Sequence, residues 1–88
     1  RLPLPADYRK MYDSAVADMK NIGGPYAGAS IAGLILSEFV PEGIPWVHLD
    51  IAGPAFTDAA EEDRTRGGTG FGVRLLLDLI ASFEKPAT

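Results

Sequence analysis

The stretch WVHLDIAG, residues 46–53, alternates side chains with a period of two before it reaches Ala52-Gly53. As a strand it would set Val47, Leu49 and Ile51 on one face and Trp46, His48 and Asp50 on the other. It is the one run in the chain that reads convincingly as a strand, over about residues 46–51. A single strand leaves its own backbone N–H and C=O groups unpaired, so the rest of the chain must be searched for partners.

That search finds helices. Tyr8, Met11, Tyr12, Ala15, Val16 and Met19 recur at helical spacing and predict a helix over about 6–20, closed by Gly23-Gly24-Pro25. A second helix, about 26–39, is built from Ala27, Gly28, Ala29, Ser30, Ala32 and Gly33 with Ile31, Leu34, Ile35 and Leu36. It has almost no polar face, so it belongs inside a structure, and its glycines suggest that another backbone passes close by. Val73, Leu76, Leu77, Ile80 and Phe83 mark a third helix over about 70–84. The order α-α-β-α gives an α/β class without a sheet. The expectation is therefore a fragment of a helix-flanked mixed sheet, or an obligate partner of something that carries the other strands.

Composition narrows the function. The chain has 88 residues, is 47% hydrophobic and contains no cysteine, so neither a disulfide framework nor a thiolate metal site is available. A net charge of −4 with only eight Lys and Arg argues against nucleic acid as a partner. The longest apolar stretch, YAGASIAGLIL (26–36), is shorter than the roughly 20 residues of a membrane span, so no membrane role is expected. The opening RLPLPADYRK lacks an initiator Met and a charged-then-apolar leader, and reads as cut from something longer.

Three motifs invite chemistry. RGGTGFGVRLL (66–76) runs from glycines into a helix, where backbone N–H groups can cradle phosphate, but the spacing of Gly67, Gly68, Gly70 and Gly72 fits no phosphate fingerprint. A tight helix start against another backbone is the favoured account. Asp58, Glu61, Glu62 and Asp63 lack the ordered spacing of a calcium loop and read as a solvated surface. His48 and Asp50 lie two residues apart, yet no second histidine completes a metal site and no nucleophile elbow surrounds any serine. A hydrogen-bonded structural pair at a strand end is the better account of them.

DSAVADMKNIGG (13–24), YAGASIAGLILSEFV (26–40), PWVHLDIAGPAF (45–56) and GGTGFGVRLLLDLI (67–80) occur in this order. Together they resemble the C-terminal part of the catalytic domain of the leucyl (cytosol) aminopeptidase family, over nearly the whole chain apart from 57–66. The resemblance implies a metal-dependent hydrolase that removes N-terminal residues, often leucine, from peptides. It also implies two divalent cations, zinc or manganese, a cytoplasmic location and a homo-oligomer, the family hexamer. The family's metal ligands lie in an upstream Asn-Thr-Asp-Ala-Glu-Gly-Arg signature that does not occur in residues 1–88. The metal-binding half is thus expected to be absent. Lys20 and Arg74 inherit no catalytic role, and neither catalytic nor metal-ligating residues are expected here.

Three positions match the family's apolar pocket for the substrate's N-terminal side chain: Ile22 in NIGG, Ala52 in DIAG, and Ala55 just after it. These are the expected substrate-binding residues, with His48 and Asp50 as scaffold for the strand end. The isolated chain is expected to be inactive and to need the rest of the aminopeptidase chain. The alternative is a non-catalytic interaction or oligomerisation module derived from the same fold.

Overall fold

The computed structural model describes residues 1–85 and 87. The chain forms two units, Arg1–Asp50 and Ile51–Thr88. The class is α/β, as the sequence predicts, with three helices and a two-stranded antiparallel sheet among the described residues. The element boundaries differ from the expected ones in instructive ways.

In the first unit a 3-10 helix spans Ala6–Tyr12. The helix expected to reach residue 20 stops here because Asp13 is extended (φ −64, ψ 144). Ser14 Oγ then accepts the N–H groups of Val16 and Ala17 at 3.2 and 3.1 Å, offering the backbone a local alternative to a helix. Val16, expected on the apolar face, is consequently 96% exposed.

The second helix, α1, spans Gly28–Ser37, and its start is marked by Ala27 in the left-handed region at φ 56. A non-glycine residue there carries roughly 1–2 kcal/mol of strain. Past Ser37 the N–H groups of Glu38, Phe39 and Val40 bond three residues back, a tightened turn that Pro41 closes. The 3-10 helix packs on α1, burying Tyr12 and Ile31 as the core of this unit. Ser30 and Gly33 are buried beside them.

The strand expected over 46–51 is not formed. Residues 44–51 carry no regular secondary structure, and among the described residues no segment pairs with them in a ladder. The sheet lies instead in the second unit. There β1 (Phe56–Thr57) pairs with β2 (Gly67–Gly68), setting Phe56 opposite Gly68 and Thr57 opposite Gly67. The third helix, α2, spans Val73–Ala81 and starts from Gly72 at φ 89. None of its side chains is buried: Val73, Leu76, Leu77 and Ile80, the expected inner face, are all exposed. Among the described residues no helix is long and apolar enough to cross a membrane.

Candidate functional site

Departure from helix at Tyr12 decides where Ile22 goes. The chain turns through Ser14, is tied back by the Lys20 N–H donating to the Tyr12 carbonyl at 2.7 Å, and runs past α1 as Asn21-Ile22-Gly23-Gly24. Gly23 lies directly on Ile31, where a Cβ would stand 2.7 Å from Ile31 Cγ2. Only glycine allows that approach. Between this segment and α1 opens an apolar concavity of about 240 Å³, lined by Asn21, Ile22, Gly28, Ile31, Ala32 and Ile35 among others. No charged side chain lines it. Ile22, the first expected substrate-binding residue, is 66% exposed on its wall.

A polar clamp ties down the C-terminal end of α1. Tyr12 donates to Glu38 Oε1 at 3.0 Å, and Arg9 Nε reaches the same oxygen at 2.7 Å. Arg9 also pairs with Asp13 at 2.7 Å and lies 4.6 Å from the centroid of the Tyr12 ring. Burial pushes the Tyr12 phenol above its usual range, and the neighbouring Glu38 carboxylate adds to the shift. The clamp ties the end of α1 to the 3-10 helix with charge-assisted hydrogen bonds.

His48 packs against the opposite part of α1. A Cβ at Gly33 would lie 3.2 Å from His48 Cδ2 and 3.0 Å from Leu4 Cδ2, so the close approach expected at this glycine is made by side chains rather than backbone. The imidazole also stacks on Trp46, with ring centroids 6.2 Å apart. His48 Nε2 is buried and has no hydrogen-bond partner in the described structure.

Ala52 and Ala55 belong to the second unit. Ala52 is exposed, while Ala55 is half-buried in a turn closed by its own N–H to the Ile51 carbonyl at 2.9 Å. The glycine-rich loop packs here. The Thr69 N–H donates to the Ala55 carbonyl at 2.9 Å, Thr69 Oγ1 donates to the Pro54 carbonyl, and the Phe71 N–H donates back to Thr69 Oγ1. Thr69 thus seats the loop against the 54–55 backbone, and Gly70 (φ 69) and Gly72 (φ 89) supply the left-handed turns that lead into α2. In the acidic loop Arg64 pairs with Glu61 at 2.9 Å and Asp63 at 3.3 Å.

Among the described residues no group of three or more His, Cys, Asp or Glu is arranged to hold a metal ion. The side chains present do not fit a two-cation centre, and no metal-assisted step follows from them. Sequence reasoning singled out Ile22 but not Gly28, Ala32 and Ile35, which share its concavity. The run of small residues in the second helix was the available signal.

Comparison with known proteins places this arrangement. Residues 1–77 match the model of the cytosol aminopeptidase family, catalytic domain. A probable cytosol aminopeptidase of Alkaliphilus metalliredigens is 52% identical over 85 residues, covering 97% of this chain and 17% of the relative. One from Streptomyces griseus is 56% identical over 79 residues, covering 89% of this chain and 15% of the relative. Among solved structures, the bottromycin maturation enzyme BotP in complex with Mn is similar, with a TM-score of 0.79 and 46% identity over 89% of this chain and 17% of that one. The chain thus spans about one-sixth of the length of such relatives. With the family model matched over most of its length, the chain belongs to the cytosol aminopeptidase family, as part of its catalytic domain.

Proposed function

We propose that this chain is the C-terminal segment of the catalytic domain of a leucyl aminopeptidase that hydrolyses N-terminal residues from peptides. The match of residues 1–77 to the family's catalytic-domain model carries this reading. The segment contributes apolar pocket wall through Ile22, Ala52 and Ala55, together with core helices. Support for the wall role is chemical: Ile22 borders an uncharged concavity, and a pocket for Leu or Met needs apolar walls and small residues at its mouth. Two divalent cations, zinc or manganese, are assigned to residues of the full-length protein outside this chain. BotP was solved in complex with Mn, which supports manganese as one candidate. The same reading takes the full-length protein as a cytoplasmic homo-oligomer, a hexamer as in the family.

The test is hydrolysis of leucine p-nitroanilide with added Mn²⁺. Turnover is expected from the full-length protein, with loss on treatment with a chelator, and none from the 88-residue chain alone. Turnover by the isolated chain, or none by the full-length protein, overturns the reading. The uncovered apolar face of α2 favours the interaction-module alternative only if the second of these results is obtained.

A further inference from the structure

Among the described residues one buried side-chain polar atom lacks a hydrogen-bond partner, His48 Nε2. The ring itself is well packed. It stacks on Trp46, and its Cδ2 edge, which adjoins Nε2, faces Gly33 with the Leu4 side chain beside it. A ring nitrogen withdrawn from water without a partner is costly, and native structures rarely leave one so. The imidazole also lines a cavity of about 380 Å³, together with Arg1, Leu2, Leu4, Trp46 and Val47. The four apolar residues of this lining are exposed. Arg1, its one cationic side chain besides the imidazole, forms no ion pair among the described residues.

Two polar side chains without partners thus share one otherwise apolar cavity, and no carboxylate lines it. A water molecule needs two to four polar partners, more than these side chains offer it. A carboxylate answers both groups at once, because it accepts hydrogen bonds and carries the charge opposite to that of the guanidinium. No hydrogen bond holds the backbone of residues 1–4 among the described residues, so Leu4 can yield to a side chain that enters. The chain spans about one-sixth of the length of its relatives, which leaves a long remainder to supply that side chain.

We infer that this cavity receives the side chain of an Asp or Glu that lies outside residues 1–88 of the full-length protein. Its carboxylate accepts a hydrogen bond from His48 Nε2 and pairs with Arg1. The two residues then anchor the first unit to the rest of the protein, and they act by position rather than in the chemistry.

The experiment compares melting temperatures of the full-length protein as wild type, Arg1→Gln, His48→Phe, His48→Gln and the Arg1→Gln, His48→Phe double variant. Expected for Arg1→Gln and for His48→Phe is a fall of about 3 °C or more each, on the scale of a lost hydrogen bond to a charged group. The double variant should melt no lower than the worse single one, because both residues hold the same carboxylate. His48→Gln keeps an amide donor near the place of Nε2 and should recover most of the fall. If His48→Phe melts at or above wild type, Nε2 has no partner in the full-length protein and the inference is wrong. Additive losses mean that Arg1 and His48 serve different groups, and a His48→Gln fall as large as that of His48→Phe means that packing alone is lost; either result overturns it. A crystal structure of the full-length protein identifies the occupant: an Asp or Glu of the same chain on Nε2 and Arg1 is expected. A water, a backbone carbonyl, a residue of another subunit or an empty cavity overturns the inference.

Discussion

The Tyr12 hydroxyl and the Arg9 guanidinium meet on one oxygen of Glu38, at 3.0 and 2.7 Å, and the phenol ring is one of two fully buried apolar groups in its unit. Burial and the adjacent carboxylate both favour the neutral phenol. A group whose pKa is raised by folding adds stability that is fully present below its unfolded value, near 10 for tyrosine, and is lost as pH rises through the folded value. In the full-length protein, Tyr12→Phe is expected to cost about 1–3 kcal/mol at pH 8, the worth of a hydrogen bond to a charged group. As the pH passes about 10 the wild type should lose that advantage, because its phenolate would face Glu38, while the Phe variant has nothing to ionise. Chemical denaturation of both proteins between pH 8 and 11 checks this. A gap that stays constant or widens with pH contradicts it.

The elements depend on a few close approaches, of which Gly23 on Ile31 is the tightest. Ile31 is 2% exposed and its Cγ2 is held by the branched carbon, so it has little freedom to yield. Gly23→Ala is expected to cost about 1–3 kcal/mol as an overpacked core, and Ile31→Ala about 2–5 kcal/mol as a cavity. The double variant should cost clearly less than the sum, because the alanine methyl enters space that Ile31 vacates. Additive costs in urea unfolding of the full-length protein would show that the two residues do not share this contact. Such contacts mark how far the sequence could be read. Helical periodicity points to the first and third helices and an unbroken run of small and apolar residues to the second, all of them local properties of the sequence. It overran the first because Val16 and Met19 keep the period while Ser14 diverts the backbone, and a short polar side chain leaves no trace in an apolar pattern. At 46–51 the alternation predicts a strand that the structure does not form, because a ladder needs a non-local partner and no described segment pairs with it. Of the site, Ile22 was legible only through the family motif. The close backbone approach expected at the glycines of the second helix is met by the Leu4 and His48 side chains at Gly33, and at Gly28 nothing described lies within 4 Å of where a Cβ would stand.

At the level of the whole chain, the same absence of long-range partners governs stability. Among the described residues the second unit buries no hydrophobic side chain, and the first buries Tyr12 and Ile31. Paired strands of two residues each and a nine-residue helix are marginal without packing. No cysteine is present to supply a disulfide, and the described residues form no metal cluster to substitute for one. Leu75, Leu76, Leu77 and Ile80 on α2 are exposed together with Phe71 and Phe83, more apolar surface than a small independent domain leaves in water. The isolated 88-residue chain is therefore expected to show weak near-ultraviolet circular dichroism, to bind a hydrophobic dye such as ANS, and to lose its helix gradually in urea. A sigmoidal transition with a slope of about 1 kcal/mol/M or more would show instead that the chain forms a cooperative core by itself. Addition of the separately produced remainder of the catalytic domain should replace dye binding with protection of the α2 amides from hydrogen exchange. That exchange protection is the more telling readout, because it reports on a helix whose side chains are exposed among the described residues.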